Sequence, residues 1–248
     1  MDFSLLGLGY DKTQTFRRGS ILGPEMIKAA FGKLETNISG VDLTEKAFFH
    51  DIGVFYPKDS IELSAIVQNK LLETKKFPII LGGEHSITFP CVKAVKPRTF
   101  LSLDAHPDCE NGEGHNAVFR KVTEFLGAKN CFLHGVRAVS KTEEDFMKKN
   151  KIKILSASGI KVLPSPVYLS IDFDCLDPSI LPAVGNPEPS GMGFSELISI
   201  VKSLAGKLCA IDFVEFTPIG VAGLDELYSS IAGKAVYGSI AEIIKVRK

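Results

Sequence analysis

Four short apolar segments of this chain each run directly into side chains that can bind a metal. The clearest lies at residues 99–108, where an apolar run ends in Asp104, His106 and Asp108. Side chains two positions apart in an extended segment point the same way. These three groups therefore converge just beyond the end of a strand, and the pattern predicts a metal site at the edge of a sheet.

Three further segments repeat this arrangement, which argues against the alternative of a hydrogen-bonded surface turn. In each, an apolar run passes into acidic or imidazole groups. The segments are residues 78–81 before His85, 167–171 before Asp172 and Asp174, and 210–214 before Glu215. Gly82 and Gly83 permit a sharp turn ahead of the imidazole. Asp177, next to a proline, is predicted to be a turn or cap residue instead.

The overall composition suits one soluble domain spanning residues 1–248. The 248 residues are enough for a large α/β core, and 29 basic residues balance 29 acidic ones. This balance gives no support to a nucleic-acid or anionic-membrane partner. We expect a cytoplasmic protein, because no apolar run approaches the roughly 20 residues that span a bilayer and the start lacks a signal-peptide pattern. The five cysteines are scattered and suit reduced thiols.

Strand-like and helix-like patterns alternate along the chain. The predicted strands are residues 3–8, 77–81, 99–103, 131–136, 167–171 and 210–214, and the predicted helices are 24–34, 61–74, 141–150, 194–205 and 224–237. Such alternation predicts an α/β fold in which a mostly parallel central sheet carries helices on both faces. The near-continuous apolar character of the strands agrees with this fold.

The predicted ligands meet at one edge of this sheet. In open parallel sheets, ligands bind beyond the carboxyl ends of the strands. So many acids in one place repel each other and hold protons unless cations lie among them, so we expect two divalent metals. A set of four carboxylates and two imidazoles suits Mn²⁺; zinc and iron stay open as alternatives.

Other features of the sequence are assigned structural roles. His50 and His134 lack the spacing of metal ligands, and we expect both to be structural. Cys109 and Cys175 adjoin the acidic motifs but are expected to be buried bystanders, because carboxylate-rich sites do not recruit thiolates. The sequence Gly-Leu-Gly at 7–9 lacks the third glycine of a dinucleotide-binding loop.

The ordered motifs resemble those of the ureohydrolase family, which contains arginases, agmatinases and related guanidino or formimino hydrolases. The three motifs are Gly-Gly-Glu-His-Ser at 82–86, Asp-Ala-His-Pro-Asp at 104–108 and Ser-Ile-Asp-Phe-Asp-Cys-Leu-Asp-Pro at 170–178. The resemblance extends from residues 16–19 to residue 215. It implies a three-layer α/β/α fold with two Mn²⁺ ions per chain and a homo-oligomer, a trimer or a hexamer.

The resemblance also assigns roles to individual residues. One ion would be held by His85, Asp104, Asp108 and Asp172, and the other by Asp104, His106, Asp172 and Asp174, so that Asp104 and Asp172 bridge. Asp108 would pass a proton to the leaving nitrogen. His115 is similar to the family's proton-shuttle or substrate-contact histidine, and Glu215 to its guanidinium-binding acid.

Agmatine is the predicted substrate, and urea and putrescine the products. Residues 109–114, before His115, are acidic, and Glu110 and Glu113 favour a primary ammonium over the carboxylate of arginine. Arginase, guanidinobutyrase and formiminoglutamase activities are the alternatives on the same scaffold. A metal-dependent deacetylase and a catalytically silent relative are two more distant ones. Pro107 and residues 216–218 depart from the family pattern, so we expect a reshaped pocket floor.

Overall fold

The computed structural model describes residues 1–247 and contains an eight-stranded sheet in which every pair of neighbouring strands is parallel. In sheet order the strands are β4 (Phe48–Phe55), β1 (Asp2–Leu8), β5 (Phe77–Gly82), β10 (Leu208–Val214), β9 (Val167–Asp172), β6 (Thr99–Leu103), β7 (Cys131–His134) and β8 (Lys153–Ile154). A separate antiparallel pair joins β2 (Asn37–Ile38) to β3 (Val41–Asp42). The predicted sheet is confirmed and is entirely parallel.

Helices cover both faces of this sheet. They are α1 (Gly23–Phe31), α2 (Leu43–Lys46), α3 (Ser60–Glu73), α4 (Thr88–Val95), α5 (Val118–Leu126), α6 (Lys141–Asn150), α7 (Ala157–Ile160), α8 (Phe194–Leu204) and α9 (Ala222–Val246). Helices α1, α8 and α9 pack together on one side, and α3, α4 and α5 on the other. The predicted three-layer α/β/α architecture is therefore confirmed.

Two hydrophobic cores form because alternate residues of each strand face opposite sides of the sheet. In β9, Leu169 and Ile171 enter the core beneath α1, α8 and α9, whereas Tyr168 enters the core beneath α3, α4 and α5. All six residues of β9 are buried. This burial on both faces explains why the central strands are continuously apolar instead of alternating.

The sequence patterns miss several elements. Strand β4 lies at the sheet edge with no buried residue, and it is interrupted by His50, Asp51 and Gly53, so it lacks the apolar run of the inner strands. Helices α4 and α5 were also absent from the predicted elements, and α9 extends well beyond the predicted range of 224–237. Among the described residues, no helix is both long enough and apolar enough to cross a bilayer.

Candidate active site

Four neighbouring central strands deliver the predicted functional groups to one place. Strands β5, β10, β9 and β6 are adjacent in the sheet, and the groups follow their carboxyl ends. His85 opens a short 3₁₀ turn after β5, Asp104 follows β6, Asp172 is the last residue of β9, and Glu215 follows β10. The parallel order thus brings together segments that lie far apart in the sequence.

His85 lies at the centre of a first acidic cluster. Its Nδ1 is 3.1 Å from Oδ2 of Asp104, 2.9 Å from Oδ2 of Asp108 and 3.4 Å from Oδ2 of Asp172. All four side chains are buried. Asp108 has a positive φ of 49°, a conformation that non-glycine residues rarely adopt and that is common at functional sites.

A second cluster forms around His106. Its Nδ1 lies 2.8 Å from Oδ2 of Asp174 and 3.7 Å from Oδ1 of Asp104. Asp104 therefore turns one carboxylate oxygen to each cluster, the position expected of a bridging ligand. The Oδ1 atom of Asp172 accepts the backbone N–H of Asp174, while its Oδ2 faces His85.

The donor atoms of these clusters fit a pair of divalent cations. Nδ1 of His85 and Oδ2 of Asp104 are buried, yet neither makes a hydrogen bond within residues 1–247. Both groups of ligand atoms are compact enough to hold an ion: His85, Asp104 and Asp172 form one, and Asp104, His106 and Asp174 the other. Buried polar atoms left unpaired are costly, and a shared cation would satisfy them.

The pKa values of the acids and of His106 also indicate that this site would be stabilised by a bound cation. Burial, together with Asp174 and Asp108, raises the pKa of Asp104 to about 7. Burial, Asp174 and Asp104 raise the pKa of Asp172 well above its usual value. Burial alone would lower the pKa of His106, but Asp174 and Asp104 raise it to about 10. Carboxylates in this state keep protons at neutral pH unless cations lie among them.

A buried hydrogen-bond network behind His85 determines which of its nitrogens faces the acids. Asp212 is fully buried and accepts hydrogen bonds from Ser170 Oγ at 2.5 Å, Thr88 Oγ1 at 2.8 Å and Tyr168 Oη at 2.7 Å. Because Ser170 gives its only proton to Asp212, it accepts from Nε2–H of His85, 3.0 Å away. Nδ1 of His85 therefore carries a free lone pair, as a metal ligand requires. The polar Ser170 and Asp212 within apolar strands were the overlooked sequence signal.

A cavity of about 140 Å³ opens onto these clusters. Its lining includes Asp108, His106, Asp172, Asp174, His115, Glu110, Glu143, Glu215, Arg17 and Gln14. Most of the predicted site residues thus share one cavity. His85 and Asp104 lie behind it in the metal-binding clusters.

Glu215 is a buried acid in this cavity with two well-defined partners. Its Oε1 accepts the backbone N–H of His85, and its Oε2 accepts an N–H of Gln14, both at 2.7 Å. Burial raises the pKa of Glu215 to about 8. The residue also has a positive φ of 68°, so its backbone conformation is strained and held by its surroundings.

His115 lies outside the metal-binding clusters and is held by threonines. Its backbone N–H donates to Thr13 Oγ1 at 2.9 Å, and its ring nitrogens approach Thr13 Oγ1 at 3.3 Å and Thr15 Oγ1 at 3.5 Å. Thr13 in turn donates to both oxygens of the buried Glu84, through its backbone and its hydroxyl. The imidazole thus lies in the cavity and outside the two groups of candidate metal ligands within residues 1–247.

The acids of the loop before His115 have different positions. Glu110 lines the cavity and accepts the hydroxyl proton of Ser140. The structure does not bring Glu113 into the cavity: its side chain is 93% exposed and pairs with Lys121 on α5. Glu143, which the sequence patterns did not indicate, is buried and lines the cavity instead.

Glu143 belongs to the capping box that begins α6. Its Oε2 accepts the N–H of Ser140, whose hydroxyl accepts the N–H of Glu143, and its Oε1 accepts the N–H of Cys109. The Ser-x-x-Glu spacing was thus a signal for a helix start and not for the cavity.

None of the residues that we expected to be structural belongs to the two ligand groups found within residues 1–247. Asp177 accepts the backbone N–H groups of Ser179 and Gly191, as a turn residue does. His134 Nδ1 bonds to the carbonyl of Leu155 at 2.6 Å, and His50 is exposed on β4. All five cysteines are free thiols.

This arrangement defines the class of protein: a parallel α/β fold with two adjoining sets of metal ligands and a small cavity beside them is that of a binuclear metal-dependent hydrolase. Comparison with known families is more specific, because residues 1–235 match the model of the Arginase family. The chain belongs to the arginase family, whose members are binuclear metal-dependent amidinohydrolases. The resemblance drawn from the sequence motifs is confirmed.

Individual relatives agree with this assignment. The N(1)-aminopropylagmatine ureohydrolase of Thermococcus kodakarensis is 33% identical, covering 95% of this chain and 92% of that protein. The agmatinase of Pyrococcus horikoshii is 32% identical, covering 86% and 83%. The crystal structure of agmatine ureohydrolase of Thermoplasma volcanium superposes with a TM-score of 0.89 at 29% identity, covering 99% and 90%.

Proposed function

We propose that this protein hydrolyses agmatine, or a guanidino compound with a similar amine-bearing tail, to urea and an amine. The observation that carries the proposal is the composition of the cavity. It is lined by Glu215, an acid suited to a guanidinium, and by two further acids, Glu110 and Glu143, beside candidate metal ligands of both clusters. A substrate that is cationic at both ends matches this distribution of charge.

The proposed cofactor is a pair of Mn²⁺ ions. His85, Asp104, Asp108 and Asp172 would hold one ion, and Asp104, His106, Asp172 and Asp174 the other. Carboxylates with two imidazoles suit Mn²⁺ better than the all-oxygen preference of Mg²⁺ or Ca²⁺. When bound, such a pair supplies a hydroxide nucleophile at neutral pH.

The guanidinium would bind to Glu215. Each of its carboxylate oxygens accepts one hydrogen bond from the protein and keeps a lone pair for a substrate N–H. Burial raises the pKa of Glu215 to about 8, and a cation at this position favours the ionised form. The cationic guanidinium would therefore pair with the ionised carboxylate of Glu215, and this pairing would favour a guanidinium over a neutral group.

Proton transfer is assigned to Asp108 and His115. Asp108 lies 2.9 Å from His85 and lines the cavity, so it can hold the proton released by the nucleophile. His115 also lines the cavity, and its ring is held by hydroxyl groups instead of an ion. It is suited to protonating the leaving amine.

The amine-bearing tail of the substrate is assigned to Glu110 and Glu143. A substrate carboxylate beside these acids would be repelled, which favours agmatine over arginine. Arg17 is the one arginine or lysine among the lining residues and keeps arginase as the alternative. Its Nη2 donates to the carbonyls of Pro182, Val184 and Thr217, so this cation is already engaged by the protein.

A substrate panel tests the proposal. Urea release would be measured with Mn²⁺-loaded protein on agmatine, N1-aminopropylagmatine, 4-guanidinobutyrate and arginine, and ammonia or formamide release on formiminoglutamate. We expect the highest kcat/KM for an amine-ended guanidino compound. The variant Glu215→Gln should lower kcat/KM to a similar, still measurable extent on every guanidino substrate, whereas Glu73→Gln, an exposed change on α3, should not. A higher kcat/KM for arginine than for both amine-ended compounds contradicts the proposed substrate class.

Two properties, one expected from the family resemblance and one from the sequence pattern, stay predictions. A homo-oligomer, trimer or hexamer, is expected, and sedimentation velocity would measure its mass. Cytoplasmic localisation is likewise expected and would be tested by fractionating cells that produce the protein.

A further inference from the structure

The segment at residues 13–17 forms one side of the cavity and is bonded to three separate parts of the fold. Thr13 donates to Glu84, Gln14 donates to Glu215, and Arg17 donates to carbonyls that include Val184 O at 2.6 Å. The family motifs found in the sequence do not include Gln14, whose side chain is only 6% exposed.

Gln14 is the one side-chain partner of the Glu215 carboxylate within residues 1–247. Nε2 of Gln14 lies 2.7 Å from Oε2 of Glu215. An ionised carboxylate can only accept hydrogen bonds, so the amide must present its nitrogen and not its oxygen to Glu215. The chemistry therefore determines the orientation of the amide as well as its position.

Within residues 1–247, the other hydrogen bonds that hold Glu215 involve backbone groups, and none of them reaches its Oε2 atom, which is bonded by Gln14. Oε1 accepts the backbone N–H of His85, and the backbone N–H of Glu215 donates to Gly83 O. The pair also packs tightly against Gly185: a Cβ there would lie 3.0 Å from Gln14 Nε2 and 3.3 Å from Glu215 Oε2. Without the amide, the carboxylate would be held at one oxygen only.

The amide of Gln14 also has an unfavourable feature. Its Oε1 is buried and has no hydrogen-bond partner in the described part of the chain. A buried acceptor without a partner is costly, and an apolar side chain of similar size would avoid that cost. The amide is therefore explained by the hydrogen bond from its nitrogen and not by packing.

We propose that Gln14 is a positioning residue that holds the Glu215 carboxylate in the orientation that receives the guanidinium group of the substrate. The inference rests on the proposed function, in which Glu215 binds that group. A neutral donor is well suited to this role: a lysine or arginine would neutralise Glu215, and an acid would repel it. Gln14 acts on substrate binding through Glu215 and on every guanidino substrate alike.

Gln14→Met tests this role, because methionine has a similar length and no N–H. Its matched control is Gln68→Met, which changes the chain's other glutamine, exposed on α3. We expect KM to rise about tenfold for each guanidino substrate, with kcat changed less than about threefold and metal content unchanged. A KM equal to that of Gln68→Met overturns the proposal, as does a loss of kcat with KM unchanged.

A double-mutant cycle with Glu215→Gln shows whether Gln14 acts through Glu215. We expect Gln14→Met to reduce kcat/KM about tenfold in the wild-type background and less than about twofold in the Glu215→Gln background. Equal reductions in both backgrounds overturn the proposal. If Gln14→Met folds poorly, as judged by circular dichroism, the isosteric Gln14→Glu replaces it in the same cycle with the same expected direction.

The outcome for the wild-type protein separates this inference from the proposed function. If the wild-type protein hydrolyses no guanidino compound, the proposed function fails and the inference fails with it. If the wild-type protein is active and Gln14→Met has the same KM as Gln68→Met, only the inference about Gln14 fails.

Discussion

The hydroxyl of Ser170 lies 2.5 Å from Oδ1 of Asp212, and this contact determines how His85 meets the acidic clusters. Asp212 takes the only proton of Ser170, so Ser170 must accept the proton on Nε2 of His85. Nδ1 of His85 is then free to bind a cation. A carboxylate that contacts no ligand of the site directly thus orients one of its ligands.

The first prediction concerns this network. Asp212→Asn should weaken metal binding about ten- to a hundredfold, because an amide can donate to Ser170 and allow its hydroxyl to turn. Calorimetric titration of the purified protein with Mn²⁺ would measure the change. Asp2→Asn, an exposed substitution in β1, is the matched control. Equal affinities in the two variants would contradict the assigned role of Asp212.

The second prediction concerns the two carboxylates that we propose as bridges between the metal ions. Asp104→Asn and Asp172→Asn should abolish activity and reduce metal content below two ions per chain, because an amide offers a single neutral oxygen. Asp177→Asn should have a mild effect, since Asp177 only accepts hydrogen bonds within its turn. Atomic absorption on dialysed protein would count the ions. Two ions retained in Asp104→Asn would refute bridging by this residue.

The third prediction is that stability without metal falls as pH rises. Burial and neighbouring acids raise the pKa of Asp104 to about 7, above the unfolded value of about 3.9. Between these two values the folded state binds more protons than the unfolded state, so the free energy of unfolding decreases with increasing pH. For Asp104 the expected loss is on the order of 4 kcal/mol.

The neighbouring groups shift stability in the same direction in this pH range. The raised pKa values of Asp172 and His106 also make the folded state hold protons more tightly. The lowered pKa of Asp174, which His106 favours against the effect of burial, acts only at more acidic pH. Chelator-treated protein would be unfolded in urea between pH 4 and 8, with and without Mn²⁺. A metal-free protein that becomes more stable from pH 5 to 8 would contradict the prediction.

The fourth prediction separates His115 from the metal ligands. His115→Ala should lower kcat about a hundredfold, the size of a typical general acid–base contribution, with metal content intact. Added imidazole should restore part of the rate. Metal analysis alongside steady-state kinetics would check both points, and loss of metal in this variant would make His115 a ligand.

The fifth prediction concerns the acids assigned to the tail of the substrate. Glu110→Gln and Glu143→Gln should reduce the preference for agmatine over arginine by about ten- to a hundredfold, because the acids repel a substrate carboxylate. Glu113→Gln, in the same loop as Glu110 but directed to Lys121, is the matched control. The ratio of kcat/KM for the two substrates is the measurement. An equal change in all three variants would rule out a special role for the cavity acids.

The metal-binding clusters were predictable because their signal is local. His85, Asp104 and Asp172 each follow an apolar run, and a parallel sheet places the carboxyl ends of its strands at one edge. Knowing where each strand ends was therefore enough to predict which side chains meet at the sheet edge. Glu113 shows the limit of this reasoning, since its position in an acidic loop gave no information about its partner, Lys121.

The sequence by itself determined six of the eight strands of the main sheet, their parallel arrangement and the ligand-type side chains at the sheet edge, because strand periodicity and side-chain chemistry are properties of short segments. Only the tertiary structure decided that Glu143 lines the cavity, that Asp212 orients His85 and that Gln14 holds Glu215. Gln14 and Glu215 are 201 positions apart. Contacts between such distant positions depend on how the strands are ordered and how loops pack over them, and no short pattern of residues encodes that order.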